Sequence, residues 1–117
     1  MNKVIVILFF ISLLPGYSNA QVANRYDIVI DELMADPTPQ IGLPNNEWIE
    51  LRNTSATAIN LLGWRIGDAS SQSGTMPSYN LLPDSFVIVC TGSAVAAMSV
   101  FGPTISVTSF PDRKSVV

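Results

Sequence analysis

The acidic side chains are the part of this sequence whose types and spacing could do chemistry. They concentrate in one stretch of the chain, which holds Asp31, Glu32, Asp36, Glu47 and Glu50. Carboxylate oxygens are the ligands that Ca²⁺ prefers, and two suitably spaced carboxylates can hydrolyse a glycosidic bond. The alternative is that Glu32 and Glu47 anchor loop backbone or pair with an arginine while the others face water. We therefore keep two hypotheses: these residues bind calcium, or the protein has no cofactor.

The residue types that most hydrolytic mechanisms require are missing. The chain has no histidine, which excludes Ser-His and Cys-His nucleophile pairs and His-ligated zinc. Its one cysteine, Cys90, ends the apolar run Phe86–Val89 and is typical of a small buried hydrophobe rather than of a reactive thiol. We therefore assign no catalytic residue and predict that the protein is not an enzyme.

Two tryptophans are candidates for stacking against a carbohydrate. Trp64 follows Gly63 and is typical of a core residue under a sheet. Trp48 shares one strand face with Glu50 and Arg52, so it is the better candidate for exposure.

The charge balance argues against nucleic acid as a ligand. From Gln21 to Pro111 the chain has three arginines, no lysine and eight carboxylates, which gives a net charge of −5. Binding to nucleic acid requires a basic surface. We expect the partner to be another protein or a cell-surface glycan.

Period-two patterns and turn residues predict an all-β domain. Ile49 and Leu51 occupy one face of the clearest strand, and Ile28 and Ile30 occupy one face of the strand before it. Strands are expected at Tyr26–Met34, Glu47–Arg52, Ala58–Leu62 continued by Trp64–Ile66 after a bend at Gly63, Thr75–Tyr79, Ser85–Thr91 and Thr104–Ser109, with one short helix at Ser93–Val100 capped by Ser93.

These elements indicate an immunoglobulin-like antiparallel β-sandwich over residues 21–111. An immunoglobulin-like sandwich has about seven strands, and the pattern supplies five or six. We therefore expect the domain to be truncated at its C-terminal strands. Residues 112–117, Asp-Arg-Lys-Ser-Val-Val, resemble the translation of a sequencing adaptor and are expected to be a non-native tail.

Residues 1–20 have the pattern of a cleavable signal peptide. Lys3 precedes the largely apolar run Val4–Leu14, and a Pro-Gly breaker and small residues follow. The run is too short to span a bilayer, which takes roughly 20 apolar residues. We expect cleavage between Ala20 and Gln21, no membrane span after cleavage, and secretion or display at the cell surface.

Three segments together resemble the lamin tail domain as it occurs in bacterial secreted proteins. Asp27–Pro37 is similar to the family's apolar strand followed by Asn-Glu and a Pro-containing loop, with Asp31 in place of the usual Asn. Glu47–Asn53 is similar to its Glu-aromatic-apolar-Glu-Leu-x-Asn strand, and Ile59–Asp68 resembles its Leu-x-Gly-Trp segment. The resemblance extends from about residue 27 to residue 110.

This resemblance implies an immunoglobulin-like module that has no catalytic residues and that often lies beside nucleases, other hydrolases or sorting domains in large exported proteins. It favours a non-catalytic accessory or interaction module, forming the N-terminal part of a larger exported protein. The alternatives are an N-terminal fragment of an exported nuclease or other hydrolase, and a calcium- or glycan-binding module.

Overall fold

The described part of the chain folds into two β-sheets. The computed structural model describes residues 21–34, 42 and 44–111. The strands are β1 Ile28–Met34, β2 Trp48–Asn53, β3 Ile59–Asn60, β4 Asn80–Leu81, β5 Phe86–Cys90 and β6 Thr104–Ser106. Strands β1, β2, β5 and β6 form one sheet in the order β1-β2-β5-β6, and β3 pairs with β4 in the second. The predicted immunoglobulin-like antiparallel β-sandwich is confirmed.

Several predictions fall on other parts of the chain. The expected signal peptide at 1–20, the expected tail at 112–117 and the candidate ligand Asp36 all lie outside the described residues. Within the described part, the structure contains no helix with the length and apolar character needed to cross a membrane.

The main core lies between the two sheets. Strands β2 and β5 pair in an antiparallel manner and turn alternate side chains to this interior. Ile49 and Leu51, predicted to share one face, are both buried. Residues of the second sheet and its loops close the core from the other side. The buried members are Ile49, Leu51, Ile59, Leu61, Ile66, Met76, Leu81, Val87, Val89, Ile105 and Val107.

The last pair of the large sheet runs parallel. Strand β6 pairs with β5 in parallel, so the chain must cross back over the sheet between them. The crossover contains a 3-10 helix at Gly92–Ala94 and a short α-helix, α1, at Val95–Met98. The predicted helix is therefore present, but the predicted cap is wrong: α1 begins after Ala94, and no side-chain oxygen caps it.

This crossover creates a second apolar cluster on the outer face of the large sheet. Trp48, Ile88 and Cys90 point outward from β2 and β5 and pack against Ala94 and Met98. Trp48 is only 5% exposed, so the expectation that it is the exposed tryptophan is wrong. The strand pattern placed it on the correct face but could not show that a helix covers that face. The prediction of a buried, hydrophobic Cys90 is confirmed.

A β-bulge interrupts β1. Ile30 lies opposite Leu51, whereas the next partner pair is Glu32 opposite Glu50, so Asp31 is the extra residue. Ile28 and Ile30 share one face up to this point, as predicted. Beyond the bulge the alternation is reset, and Glu32 shares the outer face with Glu50 instead of following Ile30 inward.

The second sheet is smaller than predicted. Gly63 adopts φ +83° and makes the expected tight bend, with the Trp64 amide donating to the Leu61 carbonyl at 3.0 Å. The segments flanking this bend form isolated backbone hydrogen bonds, such as the Met76 amide to the Trp64 carbonyl at 2.8 Å. The predicted strand Thr75–Tyr79 is displaced to Asn80–Leu81, since Pro77 cannot donate to a ladder.

Candidate functional site

A cleft on the outer face of the large sheet combines carboxylates with an apolar floor. This outer cleft has a volume of about 230 Å³ and is lined by Glu32, Trp48, Glu50, Phe86, Ile88, Met98 and Phe101. Two of these residues belong to the acidic group singled out from the sequence. The two other members of that group that the structure describes, Asp31 and Glu47, do not line the cleft.

Strand register positions the carboxylates of the outer cleft. Glu50 lies opposite Glu32 on β1 and opposite Ile88 on β5, so these three side chains form a row across the sheet. Without the bulge at Asp31, period-two alternation would turn Glu32 to the opposite face from Glu50. The bulge is therefore what brings the two glutamates together.

The crossover after β5 supplies the other wall of the outer cleft. Met98 comes from α1, and the Phe101 amide donates to the Met98 carbonyl at 3.0 Å in the turn that follows. Gly102 then passes close to the Phe86 ring, where a Cβ would lie only 2.8 Å from the ring carbon Cε2. Close approach at this glycine fixes the ring at one end of the cleft.

Arg52 organises the acidic side chains beside the outer cleft. Its Nε donates to Asp31 Oδ2 at 3.0 Å, while its terminal nitrogens lie 3.6 Å from Glu50 Oε1 and 3.8 Å from Asp84 Oδ1. The prediction that an arginine pairs with this acidic group is thus correct in kind, but the partners are Asp31 and Glu50 rather than Glu32 or Glu47. One guanidinium serves three carboxylates, which leaves the group negatively charged.

The environment of Glu50 favours its neutral form. Burial raises the pKa of its carboxyl, the negative charges of Asp31 and Glu32 raise it further, and Arg52 opposes them. The Glu50 side chain is 15% exposed, so it keeps contact with solvent through the outer cleft. A cation entering the cleft would relieve this repulsion.

Trp48 brings a hydrogen-bond donor without a partner to the same cleft. Its indole Nε1 is buried and has no acceptor among the described residues. Buried indole N–H groups usually find a partner, and leaving one unpaired costs about 1–3 kcal/mol. One of the residues that line the outer cleft therefore carries an N–H donor with no partner of its own.

The calcium hypothesis stays a prediction. Across residues 21–34, 42 and 44–111, no three His, Cys, Asp or Glu side chains are grouped so that they could hold a metal ion. Asp36 lies outside these residues, and Glu47 is half-buried just before β2. Three of the described acidic residues, Asp31, Glu50 and Asp84, are arranged around Arg52 instead.

A second cleft opens into the core beside β1. It has a volume of about 240 Å³, and its apolar lining includes Ile28, Ile30, Trp64 and Met76. Ile30 is 51% exposed here although its neighbours on β2 are buried. Trp64 packs partly buried against the main core, as the sequence predicted.

Asn53 is a structural residue to which the sequence analysis assigned no role beyond its place at the end of the segment Glu47–Asn53. Its buried amide donates to the Thr57 and Leu81 carbonyls at 2.8 Å each, and its Oδ1 accepts from the Ser55 amide at 2.9 Å. Leu81 belongs to β4, so this side chain ties the end of β2 to the second sheet. The signal that could have found it is a polar residue in phase with the buried face of β2.

Asp68 closes the loop that follows Ile66. Its Oδ1 accepts from the backbone amides of Ser70 and Ser71 at 2.8 and 2.7 Å. These two hydrogen bonds lower the pKa of the Asp68 carboxyl. The Asp68 side chain therefore stabilises this turn through hydrogen bonds to the backbone of the following residues.

Gln21, the expected first residue after cleavage, contacts the second sheet. Its Oε1 accepts from the Asn60 amide at 2.6 Å, and its Nε2 donates to the Asn60 carbonyl at 2.9 Å. The cleavage between Ala20 and Gln21 remains a prediction.

The comparison with known proteins agrees with this architecture. No curated protein and no solved structure gives a significant match. The family described as Lamin Tail Domain matches residues 21–113, which include both sheets, the outer cleft and Asn53. This family consists of immunoglobulin-like interaction domains that are generally non-catalytic. The chain therefore belongs to the Lamin Tail Domain family.

Proposed function

We propose that this chain is a non-catalytic interaction module of an exported protein and that it binds its partner through the outer cleft. The observation that carries the proposal is the outer cleft itself, where Glu32 and Glu50 stand above an apolar floor with the unpaired Nε1 of Trp48. A few placed polar groups in a mostly apolar concavity are typical of a binding site.

Binding fits the chemistry of this site better than turnover does. Arg52 holds the two carboxylates Asp31 and Glu50 in ion pairs, and the sequence has no histidine to serve as a general base near neutral pH. Family membership supports the same conclusion, since lamin tail domains are generally non-catalytic. The protein is accordingly not an enzyme in this proposal, and no cofactor is assigned to it.

Export forms the second part of the proposal. Residues 1–20 carry the signal-peptide pattern, and cleavage after Ala20 would release a domain that begins at Gln21. The destination is the medium or the cell surface, and the domain acts as the N-terminal accessory part of a larger protein. Its partner is a protein or a glycan of that surface.

Binding of the labelled full chain to isolated envelopes of the producing organism tests the interaction. We expect saturable binding that falls about tenfold in the variant Glu32→Gln/Glu50→Gln, since each screened ion pair contributes a factor of about three. Asp84→Asn is the matched control because Asp84 is 96% exposed, contacts the same Arg52 and does not line the outer cleft. Equal binding by the double variant and the unchanged chain would refute a role for the cleft.

A fusion of residues 1–34 to alkaline phosphatase, which is active only after export, tests whether this segment directs export. The expected result is an active, processed fusion, and the variant Leu8→Arg should keep it inactive because a charge interrupts the apolar run. An inactive fusion with the unchanged segment would overturn the export proposal without affecting the interaction.

A further inference from the structure

We propose that the outer cleft receives the lysine or arginine side chain of a polypeptide partner. This inference rests on the proposed function, because it names the chemical class of partner for the same cleft. It goes beyond family membership, since it follows from the charge, shape and hydrogen bonding of residues in this chain.

Charge complementarity carries the first step. Glu32 and Glu50 face each other across the β1–β2 pair and line the outer cleft. Arg52 is shared among Asp31 at 3.0 Å, Glu50 at 3.6 Å and Asp84 at 3.8 Å, so its single charge does not balance the surrounding carboxylates. The cleft therefore keeps unbalanced negative charge, which an ammonium or guanidinium group would neutralise. Residues 21–111 carry a net charge of −5, so the whole domain attracts a cationic partner toward this site.

The shape of the cleft fits a long side chain that ends in a charge. Ile88 and Met98 provide an apolar floor, and Phe86 and Phe101 add aromatic rings. Lysine and arginine bury their methylene stems along such surfaces while their charged ends reach polar groups. Aromatic rings also attract a cation that lies over their faces.

The unpaired Nε1 of Trp48 selects a polypeptide as the carrier of that side chain. The cation has no acceptor of its own, so the acceptor must come from the rest of the ligand, and a main-chain carbonyl provides one. A neutral glycan would also provide acceptors, but it leaves the carboxylate charge uncompensated. Trp48 is 5% exposed and its Nε1 is buried, so it offers no open ring face for stacking against a sugar. A ligand carbonyl reaches this N–H group only when the side chains that cover it shift.

The indole N–H signals of the ¹⁵N-labelled full chain provide the test. The chain has two tryptophans, and the variant Trp64→Phe assigns the signal of Trp48. The probes are the capped tripeptides acetyl-Gly-Lys-Gly-amide and acetyl-Gly-Arg-Gly-amide, with acetyl-Gly-norleucine-Gly-amide as the uncharged match and maltotriose as the neutral glycan. We expect saturable shifts of the Trp48 signal with the two cationic peptides, reduced by added salt, while the Trp64 signal stays in place.

The variants distinguish the cleft from general electrostatic attraction. Glu32→Gln/Glu50→Gln should weaken binding of the lysine peptide about tenfold, whereas Asp84→Asn should change it less than about twofold. An unchanged spectrum outside the outer cleft shows that the double variant still folds. Equal responses to lysine and norleucine peptides, or a response to maltotriose alone, would overturn the proposal. If envelope binding remains dependent on Glu32 and Glu50 in that case, the proposed function stands and only the partner class is wrong.

Discussion

Glu32 lies directly opposite Glu50 across the β1–β2 pair, although an uninterrupted strand from Ile28 would have turned Glu32 into the core. Asp31 occupies the bulge between Ile30 and Glu32 and binds Arg52 at 3.0 Å. Like charges placed opposite each other destabilise a sheet, so this pair lowers the stability of the fold locally. Retaining such a pair beside an apolar cleft is typical of a binding site.

The raised pKa of Glu50 predicts a pH dependence of stability. Burial and the charges of Asp31 and Glu32 raise this pKa in the folded chain above its ordinary value of 4.5. The stabilising contribution of protonated Glu50 is therefore complete below pH 4.5 and is lost as the pH rises through the folded pKa. The variant Glu50→Gln, which cannot ionise, should escape this loss and gain up to about 1 kcal/mol relative to the unchanged chain at neutral pH.

Urea unfolding of the unchanged chain and of Glu50→Gln, repeated from below pH 4.5 to neutral pH, measures the difference in their free energies of unfolding. Asp31→Asn should lower the Glu50 pKa and reduce the pH dependence, because it removes the negative charge that raises this pKa most. Asp84→Asn should leave the pH dependence of stability unchanged, since Asp84 does not contribute to the Glu50 pKa. A gap between the chains that narrows with rising pH would contradict the assignment.

Removing the Asn53 amide should destabilise the whole sandwich. Asn53→Ala breaks the hydrogen bonds to Thr57, Leu81 and Ser55 and leaves the buried Leu81 carbonyl with one partner fewer. We expect the free energy of unfolding to fall by about 2–4 kcal/mol, measured by urea denaturation. Asn60→Ala is the matched control because its side-chain bonds to Ser78 and Asn80 are exposed, and it should cost less than about 1 kcal/mol. Equal losses would refute the special role of Asn53.

The sequence was sufficient where local pattern determines the structure. The alternation around Ile49 and the apolar run ending at Cys90 predicted the two central strands, because both faces of β5 and one face of β2 are buried by neighbours of the expected kind. It was insufficient at Trp48 and Glu32. The burial of Trp48 depends on a crossover helix, and the facing of Glu32 depends on a bulge, and neither is encoded in period-two alternation.

The left-handed bend at Gly63 should discriminate between substitutions. Gly63 has φ +83°, and an added Cβ meets no atom within 4 Å, so the cost of a side chain is conformational rather than steric. Gly63→Ala should lower the free energy of unfolding by about 1 kcal/mol, and Gly63→Asn by less, because asparagine tolerates this region better. Thermal unfolding of the two variants in parallel measures the order, and an asparagine variant less stable than the alanine variant would contradict it.

The thiol of Cys90 should report opening of the outer face. Cys90 is fully buried under Ala94 and Met98, and burial raises the pKa of its thiol, which suppresses the reactive thiolate. We expect labelling by a disulfide reagent at mildly alkaline pH to be slow in the native chain and rapid in urea. Met98→Ala should accelerate native labelling, because it removes a side chain that covers the thiol, whereas Val100→Ala should not, since Val100 is 77% exposed. Rapid labelling of the unchanged native chain would show that the crossover does not cover this face in solution. The floor of the outer cleft would then lose the rigidity that a binding site needs.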